Sequence, residues 1–228
     1  VLGMMGAVAA AGAVSSWLFS RDSQDRVDFP VRFELTAPEA HGTIGGVGSA
    51  FAFSPDGRLL AYRMVAPSGV VKLYLRRSDE ALGRELPGTE GVVTFTFAPD
   101  GRLAAAFRRG YIYLLETATM RWTKFAEGLQ SPLGIIPGKP GEFFVVHLPE
   151  LTRVADSDGD GEADVYETIS DAWGMSGNYH EFIYGPVRDG AGNFYIALGC
   201  ASGGAEPRPV RAAGRCAGSC TCKRMVAQ

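Results

Sequence analysis

Cysteine is missing from the first 199 residues of this 228-residue chain; all four copies, Cys200, Cys216, Cys220 and Cys222, fall at the end. Their spacing, "CAGSCTC" from 216, is neither the paired CxxC of a zinc ribbon nor a CxxCH haem site, and no histidine stands nearby to complete a metal set. Disulfides or unreactive thiols are the expectation there. An excess of one charge sign is missing too: 22 Lys and Arg face 25 Asp and Glu, a net charge of -3. Nucleic-acid binding needs a clustered basic face. The two "RR" pairs, at 76–77 and 108–109, each close an apolar run and read as solvated strand ends. A nucleic-acid partner is therefore not expected. Long amphipathic helical patterns are also lacking between residues 30 and 199, which makes the expected fold all-β.

Charge is absent from Val1 to Ser20, "VLGMMGAVAAAGAVSSWLFS", and returns at Arg21 and Asp22. An uncharged run of roughly 17–25 residues can span a bilayer as a helix. Trp17 and Phe19 stand where interfacial aromatics gather. The alternatives are a signal peptide, whose basic n-region would have to lie upstream of Val1, and a buried helix. An anchor or a signal puts the residues beyond the apolar run outside the cytoplasm, as a periplasmic domain. The expected organisation is a transmembrane anchor or signal segment at 1–20, a polar linker at 21–29, an incomplete β-propeller at 30–199 and an irregular Cys-containing tail at 200–228.

What the chain does have is turns. Its 30 glycines punctuate short alternating runs such as "VRFEL" at 31–35. Residues 49–62 read "SAFAFSPDGRLLAY" and 93–106 read "VTFTFAPDGRLAAA". The two "PDG" turns begin at Pro55 and Pro99, a period of 99 − 55 = 44 residues. Pro presets φ, Asp hydrogen-bonds its own turn, and Gly takes the conformation that other residues avoid. A repeat of about 40–50 residues built from short strands marks the blades of a propeller. Looser units begin near 131 and 181, giving about four blades between Pro30 and Gly199.

One stretch concentrates acid. Residues 156–167, "DSDGDGEADVYE", match the calcium-loop pattern D-x-[DN]-x-[DN]-G-x5-E without a gap. Asp156, Asp158 and Asp160 take positions 1, 3 and 5; Gly161 makes the turn; the Glu162 carbonyl, Asp164 and Glu167 come at 7, 9 and 12. Calcium takes six to eight oxygens in flexible geometry, so this spacing suits it. Without a cation, like-charged carboxylates roughly 4 Å apart repel by about 1–4 kcal/mol per pair. An EF-hand needs a helix on each side, whereas "FFVVHLPELTRVA" and "VYETISDAWG" read as strands and short connections. The expected loop joins two strands and holds a structural ion. In that setting Glu167 can point elsewhere, so it is the ligand the pattern requires least.

These residues carry two resemblances. "VRFELTAPE" (31–39), "GSAFAFSPDGRLLAYRM" (48–64) and "LYLRRSDEALGRELPGTEG" (73–91) resemble WD-like, TolB-type propeller repeats, which in bacteria often come after a transmembrane helix in serine/threonine kinases. No kinase Gly-rich loop, HRD or DFG is present. Residues 150–199, from "ELTRVADSDGDGEADVYE" through "NYHEFIYGPVRDGAGNFYIALG", resemble the propeller of membrane-bound dehydrogenase-like proteins of planctomycete-type bacteria. Those are similar to sugar dehydrogenases that use pyrroloquinoline quinone. That resemblance implies His180 as a general base on a sugar hydroxyl, a role suited to imidazole's pKa of about 6.5. The turn "VRDGAG" is longer than the family's.

Two functions therefore stand side by side. The first is a membrane-tethered, extracytoplasmic propeller that binds or scaffolds a protein or sugar ligand and carries a structural calcium loop. The second is part of a quinone-dependent sugar or alcohol dehydrogenase. A closed propeller of six blades needs roughly 250 residues, more than 30–199 supply, and this favours the first.

Overall fold

The computed structural model describes residues 43–44, 49–148, 150–173, 182–198 and 221–225. The apolar run Val1–Ser20, the linker at 21–29, His41, His180 and Cys200, Cys216 and Cys220 lie outside the described residues. Among the described residues there are strands and turns only, and no helix is long and apolar enough to cross a membrane.

Among the described residues, sixteen strands form four antiparallel sheets. The first holds β1 (Thr43–Ile44), β2 (Phe51–Phe53), β3 (Leu59–Val65), β4 (Val71–Arg77) and β5 (Arg84–Glu85). The second runs β6 (Val92–Phe97), β7 (Leu103–Phe107), β8 (Tyr111–Glu116) and β9 (Arg121–Ala126) in sequence order. The third does the same with β10 (Gly134–Pro137), β11 (Glu142–Val146), β12 (Leu151–Ala155) and β13 (Val165–Ser170). The fourth holds β14 (Ile183–Arg188), β15 (Phe194–Leu198) and β16 (Thr221–Met225). The leading strands β2, β6, β10 and β14 pack one against the next. Consecutive meanders joined through their leading strands make the fold β-propeller-like, with four blade-like sheets.

The repeated PDG turns take the same geometry twice. Asp56 accepts from the Arg58 amide at 3.0 Å, and Asp100 from the Arg102 amide at 3.0 Å. Gly57 and Gly101 sit at φ +70° and +90°, where a side chain would be strained. Each turn is closed by its glycine amide, Gly57 bonding the Ser54 carbonyl (2.9 Å) and Gly101 the Ala98 carbonyl (3.0 Å).

Both faces of the middle sheets are buried, and this explains runs such as "LAAA" and "FFVV" that do not alternate. On β7, Leu103 and Ala105 pack towards the first sheet with Ala61, Leu73 and Leu86, while Ala104 and Ala106 pack towards the third with Phe143, Val145 and Val154. On β11 the parity splits again: Phe144 and Val146 join Ile183, Phe194 and Ile196 of the fourth sheet. Three cores result, one per sheet-to-sheet interface. A fully buried Phe or Leu contributes about 1.5–3 kcal/mol. Rings meet at two of the interfaces: Phe125 and Phe143 edge-on at 5.2 Å, and Phe144 and Phe194 tilted at 4.8 Å. The third and fourth sheets approach closely at Gly134, where a Cβ would overlap the Gly185 carbonyl.

The tail differs from expectation. Residues 200–228 were expected to be irregular, but Thr221–Met225 forms β16, paired with β15 from Phe194↔Met225 to Leu198↔Thr221. The physical reason is the exposed edge of β15, whose unpaired backbone groups accept any short extended segment.

Candidate metal centre

The acidic bend connects β12 to β13, whose register closes at Ala155↔Val165. Strands flank it on both sides, so it is not an EF-hand. Its base is fixed from three directions: the Asp156 amide bonds the Gly141 carbonyl (2.9 Å), the Ala163 amide bonds Phe125 on the neighbouring sheet (2.6 Å), and the Asp164 amide bonds Ala155 (3.0 Å). Ala163 packs partly buried against the core between the second and third sheets.

Within the bend, carboxylates and amides fold the backbone around themselves. Asp156 accepts from the Gly159 amide with one oxygen (2.7 Å) and from the Gly161 amide with the other (3.0 Å). Asp158 accepts from the Asp160 amide (3.2 Å), and Asp160 from the Glu162 amide (2.8 Å). Gly161 lies at φ +94°, which keeps side chains other than glycine's out of that position. The result is convergence: one carboxylate oxygen each of Asp156, Asp158 and Asp160 lies within 4.8 Å of the others. Two oxygens on one calcium ion at 2.3–2.6 Å can be no more than about 5 Å apart. The three aspartates therefore fit a single hard cation, and their all-oxygen chemistry fits calcium.

The remaining residues of the pattern are placed differently. Asp164 gives both oxygens to Ser157, accepting from its hydroxyl (2.5 Å) and its amide (2.8 Å). That hydroxyl bond, followed by the amide, holds the Asp164 carboxyl below the usual carboxylate range. It clasps the two ends of the bend. Glu162 is exposed. Glu167 stands on β13 opposite Arg153, which reaches it at 3.2 Å and also pairs with Glu142. The structure thus brings Asp156, Asp158 and Asp160 together and commits Asp164 and Glu167 to other partners.

A polar network that motif reading did not reveal lies at the other end of the third sheet. His147 is buried, with Nε2 2.8 Å from the Thr152 hydroxyl. That hydroxyl donates to Glu150 (2.7 Å), so it accepts from Nε2–H, and Nδ1 is left to accept the Gln130 amide (3.2 Å). Thr168 donates to the second Glu150 oxygen (2.9 Å). Burial pushes the His147 pKa down, against the smaller raising effects of the Leu148 backbone and of Glu150. The i, i+3 and i+5 spacing of His147, Glu150 and Thr152 across a tight turn was the available signal.

Comparison with known proteins adds a family model and a set of distant structures. Residues 118–217 match the model of a domain of unknown function, DUF7133. No curated protein matches the sequence. Among solved structures, TolB from Acinetobacter baumannii is similar at 15% identity and a TM-score of 0.46, over 68% of this chain and 41% of that one. The Cps50 (Swd1) β-propeller domain of Myceliophteria thermophila is similar at 14% identity and 0.46, over 68% and 50%. An auxiliary nutrient binding protein from Bacteroides thetaiotaomicron is similar at 12% identity and 0.43, over 74% and 57%. The chain spans between about two fifths and three fifths of the length of these structures.

Proposed function

We propose that this chain is a binding or scaffold module on a β-propeller-like frame, in which the acidic bend holds calcium as a structural ion. Residues 1–20 tether it to a membrane, with the sheets on the extracytoplasmic side. The convergence of the Asp156, Asp158 and Asp160 oxygens within 4.8 Å carries the calcium reading. The bend links two strands and has no helix pair to open, so the ion rigidifies a connection rather than signalling. The uncharged length of Val1–Ser20 supports the tether.

Thermal unfolding of the full chain in calcium and in chelator tests the ion. A ligand that binds only the folded state stabilises it by about 2.7 kcal/mol at a hundredfold excess over Kd. The melting temperature is expected to rise with calcium in the wild type and to rise clearly less in Asp158→Asn and Asp160→Asn. Removing one formal charge next to a divalent ion weakens binding by about tenfold or more. An equal response in wild type and variants would remove the site. For the tether, the full chain is expected to stay in the membrane pellet through an alkaline carbonate wash; release into the supernatant contradicts it.

A further inference from the structure

A cleft of about 1010 Å³, remote in sequence from the acidic bend, lies between the first and second sheets. One wall is aromatic. Phe107, Tyr111 and Tyr113 form a continuous ring cluster, with Phe107 and Tyr113 edge-on at 5.8 Å and Tyr111 and Tyr113 at 6.2 Å. Trp122 of β9 extends the same wall. All four rings are partly exposed, which leaves ring faces for a ligand.

The charge in the cleft is mostly positive. Arg63 lines it from β3, almost fully buried, with Nη1 donating to the Val93 carbonyl at 2.5 Å. Its guanidinium stays cationic in any protein setting. Arg108 and Arg109 stand exposed in the turn between β7 and β8 and line the same cleft. Neither makes an ion pair among the described residues. The only carboxylate among the described lining residues, Glu90, faces Lys72 at 3.7 Å. Arg108 and Arg109 thus face one carboxylate, which shares Lys72 with Glu85 (2.6 Å).

We propose that this cleft binds a small planar anion: an aromatic or heteroaromatic ring bearing a carboxylate or a phosphate. The ring stacks on the tyrosine and tryptophan wall, and the acid meets the arginines, whose planar forks suit both oxyanions. The volume is at the upper end of that for small-ligand sites, roughly 300–1,000 Å³, and admits a ligand of nucleotide size. This deepens the binding-module reading by naming a ligand class. It shares no residue with the calcium loop, so either reading can fail alone.

Calorimetric titration of the full chain with 2-naphthoate and with adenosine 5′-monophosphate tests it, each against its uncharged counterpart, 2-naphthalenemethanol or adenosine. At least one anion is expected to bind saturably and about tenfold or more tighter than its neutral partner, a charged hydrogen bond being strong enough for that factor. Which anion binds decides between carboxylate and phosphate. Arg108→Met with Arg109→Met, two exposed positions whose change leaves the core intact, is expected to weaken that binding several-fold and leave the calcium response unchanged. Arg63→Lys keeps the charge, removes the fork and is expected to weaken binding further. Absence of binding by both anions, equal binding of charged and neutral probes, or an unchanged affinity in the double variant would each overturn the proposal.

Discussion

Glu167 faces Arg153 across the β12–β13 pair, its Oε2 3.2 Å from the Arg153 guanidinium, and so spends its charge on a cation within the sheet. In a helix-flanked calcium loop the twelfth residue closes the site; here a strand carries it into the ladder. Glu167→Gln is therefore expected to leave calcium affinity within about threefold of wild type. An exposed pair of this kind contributes about 0–1 kcal/mol, so stability should change by no more than that. Calorimetric calcium titration beside urea denaturation checks both. A tenfold loss of affinity would restore Glu167 to the ligand set.

Sheet-to-sheet packing is tested at Gly134. A Cβ there overlaps the Gly185 carbonyl, and backbone on β14 cannot swing aside as a long side chain could. Gly134→Ala should destabilise the fold by about 1–3 kcal/mol, the usual cost of overpacking. Gly159→Ala, at φ +82° with open space around it, should cost about 1–2 kcal/mol from backbone strain alone. Paired urea midpoints, together with a near-ultraviolet spectrum for packing around Trp173, separate the two. An unaffected Gly134→Ala protein would mean the third and fourth sheets do not meet as described.

His147 gives a pH dependence with a definite sign. Its folded pKa lies below the ordinary value of 6.5 because burial penalises the imidazolium. The unfolded chain therefore takes up the proton first as pH drops. The stability His147 contributes is complete above about pH 6.5 and is lost as pH falls from there towards the folded pKa, with a slope no steeper than about 1.4 kcal/mol per pH unit for one proton. Denaturation midpoints between pH 7.5 and 5 should show this loss in wild type and a smaller one in His147→Gln. Equal slopes would place the histidine outside the network.

Asp189 provides the matching acid-side test. Its carboxylate accepts from the Asn193 side chain (2.8 Å) and amide (2.8 Å), the Tyr195 hydroxyl (2.9 Å) and the Ala191 amide (2.9 Å). These bonds, the Asn193 side chain foremost, lower its pKa from 3.8 to about 2. The stabilisation is present above pH 3.8 and disappears as pH falls to about 2. A carboxyl-carbon NMR titration should give the low midpoint in wild type and a value nearer 3.8 in Asn193→Ala with Tyr195→Phe.

Local chemistry was legible in the sequence; long-range partnership was not. The PDG turns at Pro55 and Pro99 and the bend at Asp156 are read from a few adjacent residues, and the structure places all three between strands. The doubly buried β7 and β11 lost their alternation because neighbouring sheets cover both faces, a fact of packing that no window of sequence contains. The short β1 pairs with the far half of β3, Thr43 with Val65, beyond a gap from β2. β16 pairs with β15 from more than twenty residues away. Arg153 draws Glu167 from fourteen residues away, so the acidic pattern names more ligands than converge. Arg63, Tyr113 and Trp122 line one cleft from two sheets, a meeting that only the fold produces.

The most direct measurement is an anomalous difference map from crystals of the full chain grown with calcium or a lanthanide in its place. One peak is expected within about 2.3–2.6 Å of oxygens from Asp156, Asp158 and Asp160. A map with no peak between those three carboxylates, under conditions where the ion binds the chain, would contradict the account.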